Sequence, residues 1–150
     1  MNEDLEKAWR DIIIDHSQFP RRQGELEGAS HTGHGENPFC GDRVQVQMSI
    51  NETGLITDIK VSASGCAISL ASASLLSSSL ADRDIVYAES LFNSVRQMII
   101  GEDEATDQEL GELQALSLVS RYPSRVKCAT LVWHVMHSAL HGKDQLVTTE

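Results

Sequence analysis

The sequence predicts an α+β fold, in which an antiparallel hairpin is combined with several helices. Two observations carry this prediction. Residues 43–50 alternate strictly between apolar and polar side chains, which is typical of a strand with one solvated face. Four longer stretches repeat apolar residues at helical spacing. The 150 residues suffice for one domain spanning 1–150.

The strands are predicted around a tight turn. Val44, Val46, Met48 and Ile50 share one face of the first strand, and the polar turn 51–54 follows. The return strand is predicted over 55–63, with its apolar face formed by Leu55, Ile59, Val61 and Ala63. The polar, glycine-rich stretch 21–37 is predicted to be a loop with at most one short edge strand, so His31 and His34 are expected in a loop.

The helices are predicted from apolar spacing and from their end signals. Phe19-Pro20 ends the first helix, Gly65 precedes the second, and Asp82 or Asp84 caps the third, which Gly101 stops. The acidic stretch 102–112 is expected to be a solvated connector or a short exposed helix, and the tail from about residue 142 is expected to fray. The predicted helices are 5–15, 66–80, 84–100, a short helix or turn at 113–120, and 126–141.

Charge and hydropathy exclude several classes of function. Twelve basic and 22 acidic residues give a net charge of −10, which opposes binding to nucleic acid or to an anionic membrane. The longest aliphatic run, Ile12 to Ile14, is far too short to span a bilayer. The acidic N-terminus lacks the pattern of a secretion signal, so a cytoplasmic location is expected.

The three cysteines are the candidate functional residues. An odd number in a cytoplasmic chain is a poor basis for a disulfide framework, and buried, inert thiols are the simplest alternative. The residues around each cysteine favour a functional role instead. Cys40 is separated from Asp42 by one glycine, and Cys66 and Cys128 are predicted at helix starts, where unpaired amides favour thiolate.

Three thiolates and one carboxylate form a four-ligand set, which matches the usual coordination number of zinc. Cys40, Asp42, Cys66 and Cys128 would bring four negative charges to a divalent ion. Arg125 and Lys127 precede the last cysteine and could offset the excess charge. The sequence therefore predicts a zinc site at these four residues, with an oxygen donor that is easier to displace than a thiolate.

Several motifs, in order along nearly the whole chain, resemble those of SufU-type proteins in the U-type iron–sulfur scaffold superfamily. Two features distinguish the chain from IscU-type scaffolds. A lysine rather than a histidine precedes the third cysteine, and the acidic 102–112 stretch resembles the SufU insertion. The motifs are Ile13-Ile14-Asp15-His16, Phe19-Pro20-Arg21, Asn37-Pro38-Phe39-Cys40-Gly41-Asp42, Gly65-Cys66-Ala67-Ile68-Ser69, Ala71-Ser72-Ala73-Ser74, Arg121-Tyr122-Pro123 and Arg125-Val126-Lys127-Cys128-Ala129-Thr130-Leu131.

The resemblance implies a zinc-dependent sulfurtransferase that accepts persulfide sulfur from a SufS-type cysteine desulfurase and serves downstream SUF scaffold proteins. It implies Cys40, Asp42, Cys66 and Cys128 as zinc ligands, Cys40 as the sulfur acceptor, and Arg125 as a basic residue near the metal. In the family mechanism a desulfurase histidine binds zinc and frees the accepting cysteine. The implied fold is a small antiparallel sheet of about three strands against five or six helices.

Three alternatives remain open from the sequence. The same cysteines could assemble an iron–sulfur cluster on a scaffold, because thiolates suit either metal. The chain could be a purely structural zinc domain, or a cysteine hydrolase with His16 or His134 as base. His134, His137 and His141 recur at i, i+3 and i+7 on the last helix; surface or interface positions are expected, although a metal site there is possible. Trp9 and Trp133 are expected to anchor the core.

Overall fold

Five helices and a four-stranded mixed sheet make up the fold, seen in a computed structural model that describes residues 3–101, 110–143 and 146–148. The α+β class is confirmed. The helices are α1 (Glu3–Gln18), α2 (Ala67–Leu80), α3 (Ile85–Ile100), a 3-10 helix (Gly111–Arg121) and α4 (Pro123–Leu140). The strands are β1 (His31–Asn37), β2 (Asp42–Ile50), β3 (Ile56–Ser64) and β4 (Val147–Thr148).

The predicted hairpin is the centre of the sheet, whose strand order is β3-β2-β1-β4. β2 pairs antiparallel with β3 and with β1, whereas β4 runs parallel to β1. The side chain of Asn51 accepts hydrogen bonds from the amides of Thr53 and Leu55, which holds the β2–β3 turn. The register shifts at Ser49 and Ile50, so Ile56, which the alternation pattern missed, is fully buried.

Two expectations about the sheet were wrong. Residues 31–37 form a full seven-residue strand between β2 and β4, not a loop with a short edge strand, so His31 and His34 are strand residues. The sheet has four strands rather than about three, because Val147 and Thr148 pair with Gly35 and Glu36. Within the described part of the tail, Val147 and Thr148 lie in the sheet. The polar, glycine-rich composition of β1 lacks apolar alternation, although β1 pairs with the adjacent strand β2 and with the distant strand β4.

The helices cover one face of the sheet in two layers. α4 packs on β1 and β2, α2 packs on β3, and α1 and α3 lie outside them. Asp84 caps α3 by accepting the amide of Tyr87, and Gly101 ends it in the left-handed conformation. Much of the acidic 102–112 stretch lies outside the described residues. Among the described residues, no helix combines the length and apolarity needed to cross a membrane.

The serine-rich helix α2 is buried on almost every side rather than along one stripe. Several of its serine hydroxyls are hydrogen-bonded inside the protein: Ser77 donates to the carbonyl of Ser74, and Ser72 donates to the carbonyl of Ala129 in α4. Ser72 also accepts the indole N–H of Trp133, which is 1% exposed. Small side chains let α2 and α4 approach closely, and the expected anchoring role of Trp133 fits this packing.

Candidate metal centre

The turn between β1 and β2 carries Cys40. Asn37 and Asp42 are paired across the two strands, and the amide of Cys40 donates to the carbonyl of Asn37 at 3.2 Å. Gly41 has φ +73°, a left-handed conformation that side chains rarely adopt. The glycine thus reverses the chain between the thiol and the carboxylate. Cys40 is half-buried at the turn, and Asp42 is fully buried at the first position of β2.

The end of β3 brings Cys66 to Asp42. Arg43 pairs with Ser64, so the next residue, Gly65, lies against Asp42. A Cβ atom at Gly65 would overlap the Asp42 carboxylate and lie 2.8 Å from its Cα, and Gly65 has φ +135°. The Cys66 amide donates to Asp42 Oδ1 at 2.9 Å, and Cys66 Sγ lies 3.9 Å from Oδ2. Asp42 therefore serves as a link between the turn and α2.

Cys66 is the N-cap of α2, as the sequence predicts. Its sulfur accepts the amide of Ser69 at 3.4 Å, in the place usually taken by a Ser or Asp oxygen. The partial positive charge of the helix start therefore faces this sulfur.

Cys128 reaches the cluster from a different position than expected. α4 begins at Pro123 rather than at Val126, because proline is well suited to a first helical position. Cys128 therefore lies in the second turn of α4, fully buried, and not at the helix start. Its sulfur is 3.3 Å from the sulfur of Cys40, a contact between free thiols, and Asn37 Nδ2 lies 3.7 Å away.

The distances agree with a tetrahedral ion. Ligand atoms of Cys40, Asp42 and Cys128 all lie within 4.8 Å of one another, and Cys66 adjoins this trio through Asp42. Zinc bonds of about 2.0–2.3 Å place tetrahedral ligand atoms roughly 3.5–3.8 Å apart. The Cys40–Cys128 sulfur separation of 3.3 Å and the separation of 3.9 Å between Cys66 Sγ and Asp42 Oδ2 each lie within about 0.5 Å of that spacing. The donor set therefore fits zinc, with Cys66 needing the largest adjustment to join the trio.

The electrostatics of the cluster link two ionisable groups. Burial, followed by hydrogen bonds with Cys40 and Asp42, raises the pKa of the Cys128 thiol. A hydrogen bond with Cys128, followed by the charges of Cys66, Cys128 and Cys40, raises the pKa of the Arg125 guanidinium. Arg125 is exposed on α4, and its guanidinium is hydrogen-bonded to Cys128 of the cluster. A cation bound here must displace the proton that burial keeps on Cys128.

Two residues of the cluster carried no predicted role. Asn37 is 1% exposed and its side-chain nitrogen contacts Cys128, while its side-chain Oδ1 accepts the amide of Phe39. Gly65 provides the space that Asp42 occupies. Both belong to motifs noted in the sequence, but their roles depend on contacts with distant residues, Cys128 for Asn37 and Asp42 for Gly65.

The two histidines named as possible bases, His16 and His134, contact groups other than the cysteine thiols. His16 is 1% exposed, and its ring contacts Ser74 Oγ at 2.7 Å and Glu112 Oε1 at 3.2 Å. His134 is half-buried with its ring edge against Phe92. Burial, followed by the charges of Arg96 and His137, lowers the pKa of His134. Both rings contact groups other than thiols, so these contacts give the cysteine hydrolase alternative no support.

Comparisons with known proteins indicate the family of the chain. The profile of the NifU-like N-terminal domain matches residues 8–129. The chain is 34% identical over 143 residues to the zinc-dependent sulfurtransferase SufU of Bacillus subtilis, covering 95% of this chain and 96% of that protein. It is 31% identical over 136 residues to the iron–sulfur cluster assembly scaffold protein IscU of Streptococcus pyogenes, covering 91% and 84%.

Solved structures place the fold in the same group. The crystal structure of FiSufU from Fervidobacterium islandicum superposes with a TM-score of 0.81 at 30% identity, covering 87% of this chain and 94% of that one. The NifU-like N-terminal protein of Brucella abortus gives 0.81 at 16% identity, covering 91% and 94%, a likeness of fold alone. From the profile match, the full-length relatives and the shared architecture, the chain belongs to the NifU-like N-terminal domain family, which includes SufU and IscU proteins.

Proposed function

We propose that this protein is a zinc-dependent acceptor and carrier of persulfide sulfur that works with a SufS-type cysteine desulfurase. The observation that carries the proposal is the convergence of Cys40, Asp42 and Cys128, with Cys66 beside Asp42, around a space of zinc dimensions. The relative from B. subtilis, which aligns over 95% of the chain, is named a zinc-dependent sulfurtransferase. In this proposal the protein works in the cytoplasm, where thiols stay reduced, and supplies sulfur to downstream SUF scaffold proteins.

The proposed zinc ligands are Cys40, Asp42, Cys66 and Cys128. Bound zinc would keep the cysteine sulfurs deprotonated at neutral pH. Arg125 contacts Cys128 and lies in the field of all three sulfurs, so its charge offsets part of the negative charge of the ligand set. Asp42 is held by the Cys66 amide through Oδ1, which leaves Oδ2 directed toward the Cys66 sulfur.

Cys40 is the proposed sulfur acceptor because of where it lies. Cys128 is fully buried inside α4, and Cys66 is fixed as the cap of α2. Cys40 is half-buried on a turn between two strands, next to Phe39, which is 84% exposed. A partner can therefore approach Cys40 more easily than Cys128.

The transfer step needs no external oxidant. The Cys40 thiolate attacks the outer sulfur of a desulfurase persulfide, so one S–S bond forms as another breaks. The electron pair of the broken bond leaves on the desulfurase cysteine as thiolate. Cys40 then carries the persulfide, and the sulfane sulfur keeps its oxidation state throughout. Access is one of the factors that set the rate of such exchange, and the half-buried turn position gives Cys40 that access.

A scaffold that assembles an iron–sulfur cluster on the same cysteines is the second candidate, favoured by the similarity to IscU of S. pyogenes. Anaerobic reconstitution with iron and sulfide distinguishes the two. A stable, transferable chromophore that replaces zinc supports the scaffold. Tight, colourless zinc that survives the same treatment supports the sulfur carrier.

The decisive experiment measures stimulation of a SufS-type desulfurase, and radiolabelled sulfur on the carrier, for zinc-loaded wild type, Cys40→Ala and Asp42→Ala. We expect each variant to abolish stimulation and Cys40→Ala to carry no labelled persulfide. Glu52→Gln, exposed in the turn at the opposite end of β2, is the matched control and should behave as wild type. A zinc-loaded Cys40→Ala protein that still stimulates turnover overturns the proposed role of Cys40.

A further inference from the structure

A second group of metal-ligating side chains lies where α3 and α4 meet. Glu89 projects from α3, and His137 and His141 are four residues apart at the end of α4. Their ligand atoms all lie within 4.8 Å of one another. Side chains at i and i+4 share one helix face, so both imidazoles meet the carboxylate from the same direction. The three side chains therefore form a cluster between two helices rather than a chance surface pair.

Both histidines present the same ring atom to the carboxylate. His137 Nε2 lies 3.2 Å from Glu89 Oε2, and His141 Nε2 is hydrogen-bonded to Glu89 Oε1. One carboxylate thus bridges two imidazoles with a separate oxygen for each. The Nε2 atoms are converged before any ion is bound, which lowers the ordering cost of coordination.

The neighbouring aromatic ring restrains the cluster. Phe92, one turn after Glu89 on α3, is largely buried and stacks on His137 with ring centroids 4.3 Å apart and planes at 16°. His137 in turn lies 4.6 Å from the ring of His141. The stacking limits rotation of the His137 ring and keeps Nε2 directed at Glu89. Between about a third and a half of each ligand side chain remains exposed, so an ion can enter from solvent.

We propose that Glu89, His137 and His141 form a second divalent-metal site that takes Zn²⁺. Two imidazoles and a carboxylate are a donor set that zinc uses with a fourth position open to water. The net charge of −10 favours a cation in general, whereas Arg96, whose guanidinium carbon lies 6.0 Å from the Phe92 ring centroid, opposes it locally.

The site is separate from the cysteine cluster. His137 follows Cys128 by nine residues on the same helix, which is ~14 Å at a rise of 1.5 Å per residue. It therefore shares no ligand with the proposed persulfide site. The inference does not depend on sulfur chemistry, since it concerns different residues with nitrogen and oxygen donors.

The test counts zinc ions per chain after equilibrium dialysis of the full-length protein against Zn²⁺, for wild type, Glu89→Gln and His141→Gln. We expect each variant to hold one ion fewer than wild type. His34→Asn, an exposed histidine on β1, is the matched control and should hold as many ions as wild type. The test depends on the difference in zinc content between wild type and each variant, so it is valid whether or not the cysteines bind zinc.

Cobalt provides an independent readout, because thiolate ligands give intense sulfur-to-cobalt charge-transfer absorption and imidazole and carboxylate do not. We expect one equivalent of Co²⁺ in wild type to bind without that absorption, and this equivalent to be missing in Glu89→Gln and His141→Gln. Equal zinc content in wild type and both variants overturns the proposal. The proposal is also overturned if His34→Asn loses an ion and the two cluster variants do not. Circular dichroism confirms that the compared proteins are folded.

Discussion

Asp42 is predicted to have two separable roles, one for each carboxylate oxygen. Oδ1 accepts the Cys66 amide at 2.9 Å, and Oδ2 lies 3.9 Å from the Cys66 sulfur, while the residue is fully buried. Asp42→Asn can keep an oxygen at the Oδ1 position and replaces the second oxygen with a nitrogen that cannot bind a cation. Asp42→Ala removes both. Comparison of the two variants therefore separates the structural hydrogen bond from metal binding.

The expected changes in unfolding free energy and in zinc affinity follow from the groups that each variant removes. In Asp42→Ala the part-buried Cys66 amide loses its acceptor, which costs about 1–3 kcal/mol of unfolding free energy. We therefore expect metal-free Asp42→Ala to be less stable than metal-free Asp42→Asn by that amount. Zinc affinity should fall in both variants by more than the ~10–100-fold that is typical of changes to outer-shell partners, because a direct ligand is lost.

The two quantities are measured separately. Denaturant unfolding of the metal-free proteins gives the stability difference, and competition with a chromophoric chelator gives the zinc affinity. An Asp42→Asn protein that binds zinc as tightly as wild type would refute the assignment of Asp42 as a ligand. Equal unfolding free energies for the two variants would refute the contribution of the hydrogen bond to Cys66.

The other predictions concern the site's support and the core. Gly65→Ala should abolish tight zinc binding, because the added Cβ collides with Asp42. In Gly41→Ala the added Cβ has no described atom within 4 Å, so this variant should lose about 1–2 kcal/mol to backbone strain and still bind zinc. Equal zinc loss from the two variants in a chelator titration would contradict this prediction. Ser72→Ala leaves the indole of Trp133 unpaired and should lower the unfolding free energy by about 1–3 kcal/mol; an unchanged denaturant midpoint would count against it. His16→Ala should destabilise the fold by a similar amount without changing zinc content by elemental analysis, and loss of zinc would show that its role is not purely structural.

Local patterns predicted the elements whose signals lie within a few residues. The alternation of β2 and the end of α3 at Gly101 were predicted correctly, and Asp84 is one of the two residues predicted as its cap, since each of these signals depends on nearby backbone geometry. The phase of β3 was only partly right. The register shift at Ser49 and Ile50 depends on how two strands pair, so the burial of Ile56 could not be read from one strand alone.

Elements with weak local signals were the ones misjudged. β1 contains two glycines and two histidines, and it becomes a strand because β2 and β4 pair with both of its edges. A side chain at Gly35 would collide with Val135 of α4, so the glycines reflect close helix packing rather than flexibility. The start of α4 was placed three residues late, because Pro123 was read as preceding the helix instead of opening it.

The sequence by itself determined the residue types of the candidate site, the reduced state expected of an odd set of thiols, and the family. Only the tertiary structure decided how these residues meet: Cys40, Asp42 and Cys128 come from a turn, a strand and a helix interior, and Gly65 leaves room for the carboxylate between them. The meeting of Glu89 with two histidines of another helix was equally beyond local pattern. Side-chain periodicity reports which face of an element is buried, whereas contacts between distant segments depend on strand register and helix packing.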